Sequence, residues 1–194
     1  GVISEMLLYE NRSIIGFTSP EVQKNPFGIN YIGTDEMICT YSPEEIELVL
    51  GIGTTNVSTK RSGLYTHYKR LGYSFVSLIH NSAVISPYVT LGEGIQVMAN
   101  TVIQPFAKIA DNTIVNTSST IEHDCYIDSH CHIAPGVTLS GNVSIGKNSH
   151  IGAGSTIIQG VKIGKNVLIG AGSLVLNSIK DNSKAFGVPA KEVL

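Results

Sequence analysis

Ile145-Gly-Lys-Asn-Ser-His-Ile-Gly-Ala-Gly-Ser-Thr-Ile157 returns eighteen residues later as Ile163-Gly-Lys-Asn-Val-Leu-Ile-Gly-Ala-Gly-Ser-Leu-Val175. Inside each copy a branched aliphatic residue recurs at every sixth position. Followed outward, the same step lands on Ile85, Leu91, Val97, Ile103, Ile109, Val115, Ile121, Ile127, Ile133 and Leu139 before reaching Ile145. Up to Val175 that makes sixteen consecutive positions with no exception. Four residues after each, the side chain is mostly small or branched, as at Thr101, Ala107, Thr113, Ser119, Cys125, Cys131, Val137, Val143, Ser149 and Ser155. A period of six fits neither a helix nor a simple strand alternation. Fixed-period self-similarity marks a stacked repeat, and a hexapeptide period marks a parallel β-helix. Three hexads make one coil with three flat faces, so an inward side chain touches those eighteen residues before and after it. At a strand spacing of ~4.8 Å the array builds a prism about 25 Å long. Gly136, Gly154 and Gly172 fall on one edge of it, where a tight corner favours a residue without a Cβ.

The 194 residues carry a net charge of −2 and are 14% charged, so no electrostatic field asks for nucleic acid or an anionic membrane. No run of eighteen apolar residues predicts a membrane span. No charged-then-apolar leader predicts secretion. Cysteine occurs three times, and Cys125 and Cys131 sit at the small inward position, which predicts packed thiols in a reducing cytoplasm.

Before the repeats, Val2 to Leu8 reads as a helix with Val2, Met6 and Leu7 on one side, and Ser13 to Phe17 as a short buried strand. Residues 18 to 35 read as loop. Ser42-Pro43-Glu44-Glu45 has the cap, proline and glutamate of a helix start. Val49 to Gly53 reads as a second strand, Thr55 to Leu71 as a helix ending at Gly72, and Phe75 to Ile79 as a third strand. Residues 1–80 therefore form a small α/β unit with a parallel sheet, 81–180 the solenoid, and 181–194 a cap over its open end. Ligands of such sheets sit beyond the carboxyl ends of the strands. Gly51, Gly53 and Thr54 lie at such an end, opening a helix whose free N–H groups suit a phosphate.

Four histidines, His123, His130, His132 and His150, lie on the solenoid, and none is at an inward hexad position. His123 is flanked by Glu122 and Asp124 and faces Gly141 one coil on. An imidazole beside a carboxylate is a general base, and a glycine N–H beside it can hold an oxyanion. The alternative is a solvated polar corner. His132 and His150 are eighteen apart and are expected to stack on one edge, as a surface ladder, a pocket wall or part of a metal site.

The array resembles that of the left-handed β-helix acyltransferases, and the resemblance narrows at Val115-Asn-Thr-Ser-Ser-Thr-Ile-Glu-His-Asp-Cys125. With Leu78-Ile-His80, Cys131-His-Ile-Ala-Pro-Gly136, Leu139-Ser-Gly-Asn142 and Gly187-Val-Pro-Ala-Lys191, the chain resembles the bacterial sugar O/N-acyltransferases. That resemblance implies a Rossmann-like N-terminal parallel sheet followed by a left-handed β-helix, and a homotrimer holding acetyl-CoA between neighbouring subunits. It implies His123 as base with Asp124 supporting it, Asn116 and His132 lining the site, and the Gly141 N–H on the thioester carbonyl. It places the pantetheine wall around Ile151, Gly152, Gly170 and Ala171. Two departures stand out. Family members begin with a strand and a Gly-x-Gly-Gly-His-Gly loop, of which only the final glycine has a counterpart here, Gly1, so an omitted preceding segment is expected. The paired aspartates frequent after the second strand are replaced by Phe17-Thr18-Ser19.

The reading is acetyl transfer from acetyl-CoA to the amine of a UDP-linked 4-amino sugar, with sialic-acid O-acetylation second. From other classes come a zinc enzyme of the γ-carbonic anhydrase type and an ice-binding solenoid. No metal is expected for the transferase, and the ice-binder lacks regular outward threonine rows.

Overall fold

The computed structural model describes residues 1–193. From Leu78 onward, two-residue strands recur every six residues and stack into three parallel sheets. The first face contains Leu78–Ile79, Gln96–Val97, Ile114–Val115, His132–Ile133, His150–Ile151 and Leu168–Ile169. The second runs from Val84–Ile85 through Thr120–Ile121 to Leu174–Val175, and the third from Thr90–Leu91 through Tyr126–Ile127 to Lys162–Ile163. Partners are eighteen apart, as in Ile133 against Ile151 and Ile151 against Ile169. The inward hexad side chains from Val97 to Val175 are all buried in one continuous core.

The second inward column is partly polar, yet its groups are satisfied. Ser119 Oγ donates to the Ala134 carbonyl at 2.9 Å, Ser149 Oγ to Gly164 at 2.8 Å and Ser155 Oγ to Gly170 at 2.8 Å. Cys125 and Cys131 make the same contact to Ser140 and Gly146, each at 3.2 Å. A buried donor without a partner would lose ~1–3 kcal/mol, so the recurring fifteen-residue step keeps small hydroxyls and thiols tolerable in this core. All three cysteines are free, and burial pushes the Cys125 and Cys131 thiols up to about 11 and about 12.

The solenoid begins three residues earlier than 81, because Leu78–Ile79 already pairs with Gln96–Val97 at the eighteen-residue offset. The single strand expected over Phe75–Ile79 is thus divided, Ser74–Phe75 belonging to the N-terminal unit. At the far end the step shortens to sixteen, with Ile169 against Ala185. A hairpin of Lys184–Gly187 and Ala190–Val193 then extends the first face and covers its last edge.

In the N-terminal unit, α1 is Val2–Tyr9, β1 Phe17–Thr18, β2 Tyr31–Gly33, β3 Glu47–Leu48, α2 Lys60–Arg70 and β4 Ser74–Phe75. β1 pairs with β2 and β3 with β4, both parallel, as two separate pairs rather than one sheet. Several expectations fail here. Residues 13–16 are not a strand, and the loop expected over 18–35 contains β2. Ser42 does form its capping contacts, with its N–H to Glu45 Oε2 at 3.0 Å and its Oγ receiving the Glu44 N–H at 3.3 Å. The chain nevertheless makes one turn and becomes β3, because Ile46, Leu48 and Leu50 alternate toward Tyr65, Tyr73 and Phe75. That two-residue periodicity outweighs the cap. The second strand therefore lies at Glu47–Leu48, upstream of Val49–Gly53, and α2 starts at Lys60 instead of Thr55.

The unit lies on the outward side of the first face. Met6 packs with Val76, Leu78, Met98 and Ile114, alongside Ile3 and Leu7, whereas Val2 is 58% exposed. Arg61, buried in α2, donates to the Leu50 and Ile52 carbonyls at 3.1 and 2.6 Å, and burial pushes its pKa down to about 10. Glu93 of the solenoid accepts from Lys69 Nζ at 2.8 Å and from the Phe75 N–H at 2.7 Å. Charged hydrogen bonds and apolar packing together fix the unit on the prism.

Candidate active site

His123 stands at the corner joining the second and third faces. Its Nδ1 lies 2.8 Å from Asp124 Oδ2, and both side chains are more than half exposed. With the proton on Nδ1 held by the carboxylate, Nε2 is left as the acceptor, which is the tautomer a general base requires. Asp124 takes the left-handed φ of +60° that these corners impose, and its N–H donates to the Pro105 carbonyl at 3.2 Å.

The imidazole lies directly against Gly141. A Cβ built on Gly141 would sit 2.7 Å from both Cε1 and Nε2 of His123. The ladder uses the N–H groups on either side, Ser140 to Ile157 at 3.0 Å and Asn142 to His123 at 2.9 Å. Among the described residues the Gly141 N–H has no backbone acceptor, so a donor stands beside the base. Base and donor side by side are the parts needed to deprotonate a nucleophile and hold an oxyanion.

Asn116 and His132 lie elsewhere on the prism. Asn116 is at the corner between the first and second faces and His132 on the first face. Asn116 Nδ2 is 3.1 Å from His132 Nε2, and Thr54 Oγ1 is 2.9 Å from His132 Nδ1 and 3.4 Å from His150 Nδ1. The two rings meet edge to face at 4.9 Å. His132 is only 8% exposed, because the Gly51–Thr55 segment covers it, so it is not a surface ladder. Burial, with His150 secondary, pushes His132 down to about 4, and burial lowers His150 as well. His130, packed edge-on against Tyr65, is likewise lowered to about 4, first by burial and then by Lys147. One chain therefore brings together His123, Asp124 and Gly141, and separately Asn116, His132 and Thr54, one whole face apart.

The glycine loop acts differently from its sequence reading. α2 begins at Lys60, so Gly51, Gly53 and Thr54 do not open it. A Cβ at Gly51 or Gly53 would meet nothing within 4 Å, and Thr54 serves as the hydroxyl partner of His132. The contact spans 78 residues, so no local pattern announced it.

Ile151 also needs correction, because its side chain is wholly buried in the core and cannot line a pantetheine path. Gly152 is held close to Gly170 and Ala171 of the next coil, and Gly170 to Phe186, so these two glycines are required by coil stacking. Ala171 is exposed, and the edge Gly152-Ala-Gly154 and Gly170-Ala-Gly172 carries no side chain beyond a methyl. Among the described residues no three His, Cys, Asp or Glu side chains gather to hold a metal, and no helix is long and apolar enough to cross a membrane.

The family described as bacterial transferase hexapeptide (six repeats) matches residues 106–141 and 142–177. A comparison with curated proteins finds no match. Among solved structures, the acetyltransferase domain of PglB from Neisseria gonorrhoeae FA1090 is 34% identical, with 99% of this chain and 93% of that chain covered and a TM-score of 0.93. The same domain in complex with acetyl coenzyme A superimposes with a TM-score of 0.92. PerB from Caulobacter crescentus, in complex with CoA and GDP-perosamine, is 33% identical over 99% of this chain and 91% of that one, with a TM-score of 0.92. WeeI from Acinetobacter baumannii AYE, 20% identical over 99% and 92%, shares the fold at a TM-score of 0.80. A hexapeptide solenoid, an N-terminal unit seated on its first face and likeness over 99% of this chain to the PglB acetyltransferase domain and to PerB agree: the chain belongs to the bacterial hexapeptide-repeat transferases and is a sugar acyltransferase.

Proposed function

We propose that this protein transfers the acetyl group of acetyl-CoA to the amine of a nucleotide-linked 4-amino sugar, a UDP sugar first, in bacterial glycan biosynthesis. The observation that carries this is the His123–Asp124 pair lying against Gly141. His123 Nε2 takes a proton from the sugar ammonium-derived amine as its nitrogen attacks the thioester carbonyl. The oxyanion is held by the Gly141 N–H, the C–S bond breaks, and the CoA thiolate recovers the proton from His123. No covalent acyl-enzyme is needed, since orientation and proton removal each supply large factors.

The separation of His123 from Asn116 and His132 supports a homotrimer, in which a neighbouring chain brings its Asn116–His132–Thr54 cluster to the His123 corner. The side-chain-free edge at Gly152, Gly170 and Ala171 of that neighbour suits the pantetheine arm. The reading includes a left-handed coil, a Rossmann-like N-terminal unit that binds the nucleotide near Gly51 and Gly53, and a cytoplasmic site of action suited to its free buried thiols.

Thiol release from acetyl-CoA, followed with UDP- and GDP-linked 4-amino sugars and with free sialic acid, tests the proposal. Release with an amino-sugar nucleotide, lost in His123→Ala, is expected. Release with sialic acid alone would replace the amine by a hydroxyl, and full activity in His123→Ala would remove the base.

A further inference from the structure

One coil before His123, the same corner holds Phe106 at φ +65°. The other non-glycine solenoid residues in this left-handed conformation are Asn, Ser, Asp or His. For an L-residue the conformation costs roughly 1 kcal/mol, and for a bulky apolar side chain it is an outlier. Corner neighbours use it to send an N–H back one coil, Asp124 to Pro105 at 3.2 Å, Asn142 to His123 at 2.9 Å and Gly160 to Gly141 at 3.0 Å. Among the described residues Phe106 makes no such bond. Its ring is not in the core either. It is 59% exposed and leans on Tyr88, itself 67% exposed, at 5.7 Å between centroids. Packing within one chain accounts for neither ring, and a strained residue beside a site points to function.

We propose that Phe106 and Tyr88 form the acceptor-side wall of the His123 site, packing against the apolar C–H face of the sugar; this rests on the reading of His123 as base. The Pro105 carbonyl is bonded to the Asp124 N–H, so the wall stands one coil, about 4.8 Å, from the catalytic pair. It lies on the side of that pair opposite Gly141. The thioester carbonyl occupies the Gly141 side, which leaves the aromatic side to the attacking sugar. Such a wall grips ground state and transition state alike, so its loss raises KM for the sugar and leaves kcat in place.

Phe106→Asn installs the residue that Asn100, Asn112 and Asn142 place in the same conformation, so folding is preserved. With the amino-sugar nucleotide that the wild-type chain acetylates, KM for the sugar should rise about tenfold. The KM for acetyl-CoA, kcat and the oligomeric mass should not change, and Phe106→Tyr should behave as wild type. An unchanged sugar KM, a raised acetyl-CoA KM, or a KM rise that tracks loss of oligomeric mass would each overturn the wall. A wild-type chain inactive on every amino-sugar nucleotide and on sialic acid would overturn the base reading and the wall together. An active wild type with an indifferent Phe106→Asn would overturn the wall alone.

Discussion

Gly141→Ala adds one methyl group where the structure leaves no room for it. The new Cβ would lie 2.7 Å from Cε1 and Nε2 of His123, while ordinary carbon contacts need ~3.5–4.0 Å. The imidazole, more than half exposed, yields more easily than the backbone, so it must swing away by about 1 Å. A displacement of that size at the reacting centre is worth ~10²-fold in rate, or about 2.7 kcal/mol of transition-state stabilisation. Gly141 does not have a left-handed φ, so alanine fits its backbone and the melting temperature should hold. The assay is steady-state thiol release from acetyl-CoA at saturating amino-sugar nucleotide, beside Gly63→Ala, a helical glycine with open space around it. A folded Gly141→Ala chain whose kcat stays within about threefold of wild type would refute the placement of the base against Gly141.

Removing the base itself in His123→Ala should lower kcat by ~10²–10⁴ while acetyl-CoA still binds, which calorimetric titration checks. His132 is held neutral, with its pKa at about 4 in the folded chain against 6.5 for a free imidazole. Between those values the unfolded chain binds more protons, so stability is complete above pH 6.5 and falls toward pH 4, by at most ~3 kcal/mol for this residue. Denaturation at pH 7 and pH 4.5 should reveal the slope, flattened in His132→Asn. Met6→Ala should destabilise the chain by ~2–3 kcal/mol in urea, since Met6 fills the seam between α1 and the first face. A negligible loss would mean that α1 does not clamp the solenoid.

The solenoid was legible because each hexad repeats one physical task, burying a branched side chain on the axis, and sixteen repetitions leave no competing period. The His123–Asp124 pair and Gly141 were legible for a related reason. They are local to one corner or one coil apart, and the eighteen-residue step places them side by side. The N-terminal unit was less legible. The Ser42 cap and the alternation of Ile46, Leu48 and Leu50 make opposite local claims, and only packing against Tyr65 and Phe75 resolves them. Ile151 was misplaced because a hexad residue on the axis and its neighbours on the surface share the same short motif.

By itself, then, the sequence determined the coil, its register and the residues sharing each corner, because periodic burial converts spacing directly into position. Only the tertiary structure decided that His132 and His150 are covered and neutral, and that Thr54 reaches across to them. Those facts depend on where a non-repeating unit settles on a repeating one, through contacts spanning up to 96 residues that no period encodes.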